Sequence, residues 1–241
     1  MTMKSVLCGC VAVGGFLLAG QVLADCVKPA VTGEYGFSAC KEWPAYPGLT
    51  LTARSQYEQG STQGGGPQGT YDLDLAVLSV DQASPVATYH KAGAFASDAI
   101  ELDELTLDTA RYALTPELRA FGVRTHSRNF SSANPYAQTL LSLYVREGNR
   151  LRPVLENLYV DVSGAEWDGC AGDSFQNSRT VEIAKTRSHG YADLIVKTVA
   201  SGTTAVGKGE TCDEKFSSHT VLTTLRYDGK SYVVPAALKG M

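Results

Sequence analysis

The chain has 241 residues, a net charge of −4 at neutral pH and 44% hydrophobic residues, which is enough for one domain with a full core. There is no excess of basic residues, so nucleic acid is not expected as a partner. After residue 24 no apolar run reaches the about 18 residues that a transmembrane helix requires, so no membrane span is expected.

Residues 1–24 have the form of a secretory signal peptide. Lys4 precedes an apolar run that extends from Val6 to Gly20, and Val22-Leu23-Ala24 resembles a small-residue cleavage site. This segment holds one lysine and no acidic residue, so its removal changes the net charge from −4 to −5. We therefore predict a periplasmic or secreted protein with a single β-rich domain over residues 25–241.

Four cysteines remain in this domain: Cys26, Cys40, Cys170 and Cys212. An even number in an exported chain favours two disulfides, for which three pairings exist. We expect Cys26–Cys40 and Cys170–Cys212, because these close the shortest loops. The chain-entropy model gives about 3 and about 4 kcal/mol for them. No Cys-x-x-Cys pair and no histidine at ligand spacing is present, so neither a metal site nor a cofactor is expected.

The first part of the domain predicts irregular structure and then strands. Residues 25–48, rich in proline and aromatic residues, predict a strap held by the first disulfide. Residues 58–70 have no apolar residue to bury and predict a flexible Gly-rich loop. They lack the Lys-Ser/Thr of a phosphate-binding loop. Residues 71–80 alternate apolar and polar side chains, as a strand does, and residues 100–114 and 119–125 continue this pattern.

Residues 126–137 predict a long surface loop, since they are polar apart from Phe130 and Tyr136. Arg119, Arg124 and Arg128 lie near these aromatic residues in the sequence, and Arg146, Arg150 and Arg152 flank Gly148-Asn149. Such a group suits a surface that binds an acidic ligand or a glycan. Alternating arginines are also typical of the solvent-facing side of a strand, and both interpretations stay open at this point.

Residues 140–160 predict a β-hairpin around which the domain is organised. Leu141, Leu143 and Val145 alternate with polar residues, and Gly148-Asn149 breaks the run. A three-residue turn with a left-handed Asn149 keeps one face wholly apolar, so we expect that turn. Pro153 cannot donate to the ladder, which predicts an edge or a bulge in the return strand.

The last third predicts two irregular regions and two strand pairs. Residues 161–180 and 201–218 are rich in Gly, Ser and Thr and predict loops. Strands are expected at 181–185 and 192–199. A final hairpin turns at Asp228-Gly229, with Leu225 opposite Tyr232. Because no helix of three turns is predicted, we expect an all-β, mainly antiparallel sandwich, barrel or propeller-like fold with little helix.

The string Cys170-Ala171-Gly172-Asp173-Ser174 resembles the nucleophile segment of trypsin-like serine proteases. In that family the serine attacks the substrate and a histidine takes its proton. Phe175 follows here where the family has glycine, and the segment that carries the family's histidine is absent. The resemblance implies a hydrolase that uses this loop, whereas the residues alone predict a disulfide-anchored turn.

Residues 190–196, GYADLIV, resemble the end of the FG-GAP/VCBS repeat of extracellular β-propellers, whose repeats bind calcium. Lys185 and Arg187 precede this string, so its calcium site is not expected here. The same strand entry, followed by the hairpin from Tyr227-Asp228-Gly229 to Tyr232, is similar to uncharacterised secreted bacterial β-rich proteins. Some periplasmic lysozyme inhibitors share this pattern.

We therefore expect a non-enzymatic periplasmic or secreted binding protein with a protein or glycan ligand. The resemblance to lysozyme inhibitors implies an exogenous hydrolase as the target. The alternatives are a hydrolase that uses the segment from Cys170 to Ser174, and a glycan-binding protein. We expect function in the segments 126–137 and 161–180. The most informative observation is whether these two segments and 201–218 converge on one concave surface.

Overall fold

The computed structural model describes residues 26–61, 68–82, 84–168, 170–208 and 211–240. Strands make up almost all of its regular structure, so the predicted all-β, mainly antiparallel fold is confirmed. The predicted signal peptide, residues 1–24, lies outside the described residues. The strands are β1 (Phe37–Glu42), β2 (Leu49–Ser61), β3 (Gln68–Ser79), β4 (Ala87–Ser97), β5 (Glu101–Asp108), β6 (Phe121–Arg128), β7 (Tyr136–Glu147), β8 (Arg150–Asp168), β9 (Ala171–Ser188), β10 (Tyr191–Lys208) and β11 (Thr211–Leu225).

These strands form one sheet that is not closed and that branches at β8. The main path runs β1-β2-β3-β4-β8-β7-β6-β5, and the branch runs from β8 through β9 and β10 to β11. All pairings are antiparallel except the single contact between β4 and β8, at Thr88 and Arg150. A short 3-10 turn, Ala236–Leu238, follows the sheet, and no helix among the described residues is long and apolar enough to cross a membrane.

The hairpin of β7 and β8 separates two hydrophobic clusters. Leu141, Leu143 and Val145 belong to one cluster, and Tyr144 and Leu151 belong to the other. All five side chains are at most 4% exposed. Both faces of the hairpin are therefore buried, and it forms the wall between the two halves of the core.

The turn of this hairpin differs from the predicted one. Glu147 pairs with Arg150, so the loop has two residues, and Gly148 rather than Asn149 has a positive φ, of 62°. The three-residue prediction was wrong because it required a single apolar face, and here both faces are buried. The register shifts beside Pro153, which confirms the bulge expected there.

Both predicted disulfides are present. Cys26–Cys40 ties the N-terminal segment to β1, and Cys170–Cys212 joins the start of β9 to the start of β11. Disulfides persist where the surroundings are oxidising. The two bonds therefore indicate an oxidising, extracellular-type environment.

Several segments predicted as irregular are largely strand. β1 lies within the strap at 25–48, and β2 and β3 extend into the predicted loop at 58–70. Only residues 62–67 of that loop lie between the two strands, outside the described residues. β8 and β9 account for most of 161–180, and β10 and β11 for most of 201–218. Strands that are exposed on both faces need no apolar alternation, so periodicity does not reveal them.

The C-terminal hairpin has a wider loop than predicted. Tyr227 pairs with Tyr232, which leaves four residues between them. The Asp228 carboxylate accepts two backbone hydrogen bonds inside this loop, at 2.7 and 2.8 Å, and so favours it. The predicted pairing of Leu225 with Tyr232 is wrong, because the partner of Tyr232 in this hairpin is Tyr227.

Candidate functional site

The distal parts of β8 to β11 form a four-stranded extension, which we call the arm: residues 161–168, 171–180, 197–208 and 211–222. Neither hydrophobic cluster of the described residues includes a residue of the arm. The Cys170–Cys212 disulfide lies at its tip, where β9 and β11 begin. The arm therefore extends beyond the core and is crosslinked at its far end.

One face of the arm carries mostly small side chains. Directly opposed residues of antiparallel strands share a face of the sheet, and so do residues two apart along a strand. Two neighbouring rows of opposed residues cross this face. The first row is Ala137, Ser163, Gln176 and Ser201. The second row is Ala165, Ser174, Thr203 and Phe216.

A shallow groove of about 570 Å³ lies over these rows. Arg128 stands at one end, opposite Ala137 in the neighbouring strand. Phe216 stands at the other end, 68% exposed. The small floor residues between these two large side chains give the groove its depth. Its lining consists of residues 128–129, 135–137, 163–165, 174–176, 201–203 and Phe216.

Arg128 is fixed in place at its end of the groove. Its Nε lies 2.7 Å from Oδ2 of Asp103, and the other carboxylate oxygen of Asp103 hydrogen-bonds to His126 Nδ1. The guanidinium carbon of Arg128 lies 5.0 Å from the centre of the Phe130 ring, a cation–π contact. Phe130 is 68% exposed. This end therefore presents a half-exposed Arg128–Asp103 ion pair and an aromatic ring to a ligand.

Hydrogen bonds hold the short loop that carries Phe130, residues 129–135. The Tyr136 N–H donates to Asn129 Oδ1 at 2.8 Å, and Asn129 Nδ2 donates to the Asn134 carbonyl at 2.8 Å. The Pro135 carbonyl accepts from the backbone N–H of residue 165 in β8 at 3.0 Å. Burial raises the pKa of Tyr136 to about 12, so its hydroxyl stays protonated at neutral pH. The loop is thus anchored to the arm.

The opposite face of the arm carries another exposed phenylalanine. Phe175 is 43% exposed and lies between Gly164 and Gly202 of the neighbouring strands. A Cβ at Gly164 would lie 2.7 Å from the Phe175 ring, so only glycine leaves room for the ring. Glu166 and Asp173 oppose each other beside it, around a second hollow of about 480 Å³.

The two segments in which function is expected converge with residues 201–218 on one concave surface. Segments 126–137, 161–180 and 201–218 each contribute lining residues to the groove. Phe130 and Tyr136 were recognised in the sequence. Phe175 and Phe216 were not, and their only sequence signal is a single aromatic residue within a Ser/Thr-rich stretch.

Ser174, from the protease-like string, lies on the groove floor as part of β9. Among the hydrogen bonds of the described residues, none joins Ser174 to an imidazole. His90 and His126 hydrogen-bond to carboxylates, and His189 to a backbone carbonyl. A serine nucleophile requires an adjacent base, so this geometry offers no support for acyl transfer at Ser174.

The remaining predicted groups do not reach the groove. Arg124 pairs with Asp108 at 2.7 Å and Arg152 pairs with Glu147 at 2.7 Å, and neither side chain lines the groove. Of the predicted arginines, Arg128 is the one that lines it. In the described part of the chain, no three His, Cys, Asp or Glu side chains are grouped so that they could hold a metal ion.

No protein-family model, curated protein or solved structure matches this chain. The geometry of the arm therefore carries the functional proposal.

Proposed function

We propose that this protein is a periplasmic or secreted binding protein without enzymatic activity, and that the groove on the arm is its binding surface. The ligand is a protein or a glycan, and an exogenous hydrolase such as lysozyme is the leading candidate. The predicted signal peptide accounts for export, and the disulfides suit a compartment outside the cytoplasm.

The distribution of exposed apolar side chains supports this proposal most strongly. Of the ten large hydrophobic side chains exposed in the described residues, seven lie on the arm or beside the groove. Those on the arm lie on both of its faces, with Val199, Phe216 and Leu222 on the groove face. Exposed apolar side chains that gather on one part of a protein usually mark an interaction site, and aromatic residues often dominate binding energies. The seven are Phe130, Phe175, Val199, Val206, Phe216, Val221 and Leu222.

The loop at 129–135 has the properties of an inhibitory element. A protein that blocks an enzyme cleft needs an exposed side chain on a backbone that is already held in its bound shape, because little ordering entropy is then lost. Phe130 is exposed, and its loop is hydrogen-bonded to both β7 and β8. The Arg128 side chain is 52% exposed although it pairs with Asp103, so its guanidinium can also hydrogen-bond to a carboxylate of a glycosidase cleft.

Inhibition of lysozyme by the purified mature protein tests this proposal. Phe130→Ser and Phe216→Ser should each weaken inhibition about tenfold or more, the loss typical of a removed hot-spot aromatic. Val233→Ser is the matched control, since Val233 is also exposed but lies outside the arm. No inhibition at a large molar excess would exclude lysozyme as the target. Equal inhibition by wild type and all variants would show that the groove is not the binding surface.

A glycan is the second candidate, and the groove floor favours it. Ser163, Ser174, Ser201 and Thr203 place hydroxyl groups between the groove ends, and an exposed ring such as that of Phe216 can pack against the apolar face of a sugar. Titration calorimetry with chitooligosaccharides provides the test. Saturable heat of binding that Phe216→Ser abolishes would support a glycan ligand. No heat of binding from the wild-type protein would exclude these glycans and favour a protein ligand.

A further inference from the structure

β11 leaves a long edge of the sheet unpaired. Among the described strands it pairs only with β10, and every side chain from Asp213 to Leu222 is exposed. Sheets usually protect such an edge with a short strand, a proline, a bulge or charges. β11 has 15 residues in unbroken register with β10 and no proline, and its acidic and lysine residues occupy only 213–215. The rest of the edge presents Phe216, Val221 and Leu222.

The free hydrogen-bonding groups of this edge belong to alternate residues. Lys208 and Thr211 close a two-residue connection, and the closing pair of such a hairpin is hydrogen-bonded. Every second residue after Thr211 repeats this arrangement, because the register with β10 is unbroken. The odd-numbered residues of β11 therefore direct their N–H and C=O groups to β10. The even-numbered residues direct theirs to the open edge. A partner strand must therefore match its own outward groups to Phe216, Ser218, Thr220 and Leu222.

A second copy of β11 meets this requirement about a two-fold axis at His219. In that antiparallel register Phe216 faces the partner's Leu222, and the same contact repeats on the other side of the axis. Moving the axis by one residue in either direction would place the partner's Thr220 or the partner's Thr224 opposite Phe216 instead. The charged residues 213–215 face uncharged residues 223–225 of the partner copy, so no like charges oppose each other.

We propose that the protein forms a symmetric dimer by pairing its two β11 strands in this register. The two arms then make one continuous eight-stranded sheet, and the Phe216 ends of the two grooves meet at the axis. Pairing of the edges needs no ligand in the groove. Experiments can therefore refute the dimer while they support the proposed binding function, and they can refute the binding function while they support the dimer.

Cysteine crosslinking determines directly which residues of the two β11 strands face each other. In the dimer, His219 faces the partner's His219 as a non-hydrogen-bonded pair with Cα atoms about 4.5 Å apart, which a disulfide can span. H219C should therefore give a covalent dimer on oxidation. S217C is the matched control on the same face of β11, where the new thiol would face the partner's Val221 and should remain uncrosslinked. Equal crosslinking of both variants, or none in H219C, would overturn the register.

Sedimentation of the mature protein tests the dimer itself, with an expected mass twice that of the monomer. F216E and L222K should each shift the protein towards monomer. The double variant should restore the dimer, because each introduced carboxylate then faces an introduced ammonium group of the other copy. V206S, at an exposed position of the neighbouring strand, should stay dimeric. A wild-type protein that stays monomeric at its highest soluble concentration, or a dimer that neither single variant weakens, would overturn the proposal.

Discussion

Two consecutive substitutions in β7 test whether the central hairpin is buried on both faces. Leu143 and Tyr144 point to opposite sides of the strand, into different hydrophobic clusters, and are 0% and 4% exposed. Leu143→Ala removes three buried carbons at about 0.8 kcal/mol each, which gives about 2.4 kcal/mol. The cavity adds about 24 cal/mol per Å³, so the expected total is about 3–5 kcal/mol.

The substitution on the other face should cost a similar amount. The Tyr144 ring packs 5.8 Å from that of Phe121 and 5.1 Å from that of Tyr89, measured between ring centres. Tyr144→Ala should therefore destabilise the protein by about 3–5 kcal/mol. Urea unfolding of the mature, oxidised protein provides the measurement, with exposed Val233→Ala as the control. A cost below about 1 kcal/mol for Tyr144→Ala would mean that only one face of the hairpin is buried.

Three further outcomes are expected. Removing the Cys170–Cys212 disulfide should cost at most about 4 kcal/mol, with faster hydrogen exchange in the arm than in the β7–β8 hairpin. Burial opposes ionisation of Asp108, but hydrogen bonds from the residue 110 N–H, the Tyr112 hydroxyl and Arg124 outweigh it and hold the pKa of Asp108 below its usual value. This ion therefore stabilises the fold above the unfolded pKa of about 3.9, and that contribution is lost as the pH falls, so Asp108→Asn should reduce the acid sensitivity of unfolding. Gly122→Ala should cost about 1–3 kcal/mol, because its Cβ would lie 2.7 Å from a Leu141 methyl carbon.

Each of these outcomes has its control. Removal of Cys26–Cys40, which closes the shorter loop, should cost about 3 kcal/mol and leave exchange in the arm unchanged. Equal acid sensitivity of Asp108→Asn and wild type would show that this carboxylate has the same pKa in both states. Gly148→Ala, at a positive φ with open space around the position, separates backbone strain from the steric clash expected at Gly122.

The parts of the fold that the sequence predicted are those in which one physical rule acts alone. Tyr71, Leu73, Leu75 and Val77 form one fully buried apolar face, so period-two alternation located β3. The expectation of export and the loop lengths were sufficient to predict both disulfide pairings. The turn at Gly148-Asn149 was predicted with the wrong length, because alternation reports which residues are apolar and not how many faces are covered. Tertiary packing on both sides of β7 decides that.

The arm was missed as secondary structure because its strands bury little. Residues 171–178 and 201–205 are rich in Gly, Ser and Thr, a composition shared by loops and by exposed strands whose stability comes from backbone pairing with neighbours. The sequence still indicated the position of the candidate site through Phe130 and Tyr136. The opposition of Phe216 to Thr203, and of Phe175 to two glycines, depends on register between strands and has no local signal.

The branching of the sheet at β8 has a consequence for how the arm responds to a ligand. The strand runs without interruption from the core hairpin to the tip, so the arm has no linker on which to swing. Its neighbours β9 and β10 are likewise continuous from core to tip. Backbone shape at the groove is therefore fixed by the same hydrogen bonds that hold the core together. A ligand should meet a surface that changes little on binding, and its selectivity should depend on side-chain fit more than on closure of the protein around it.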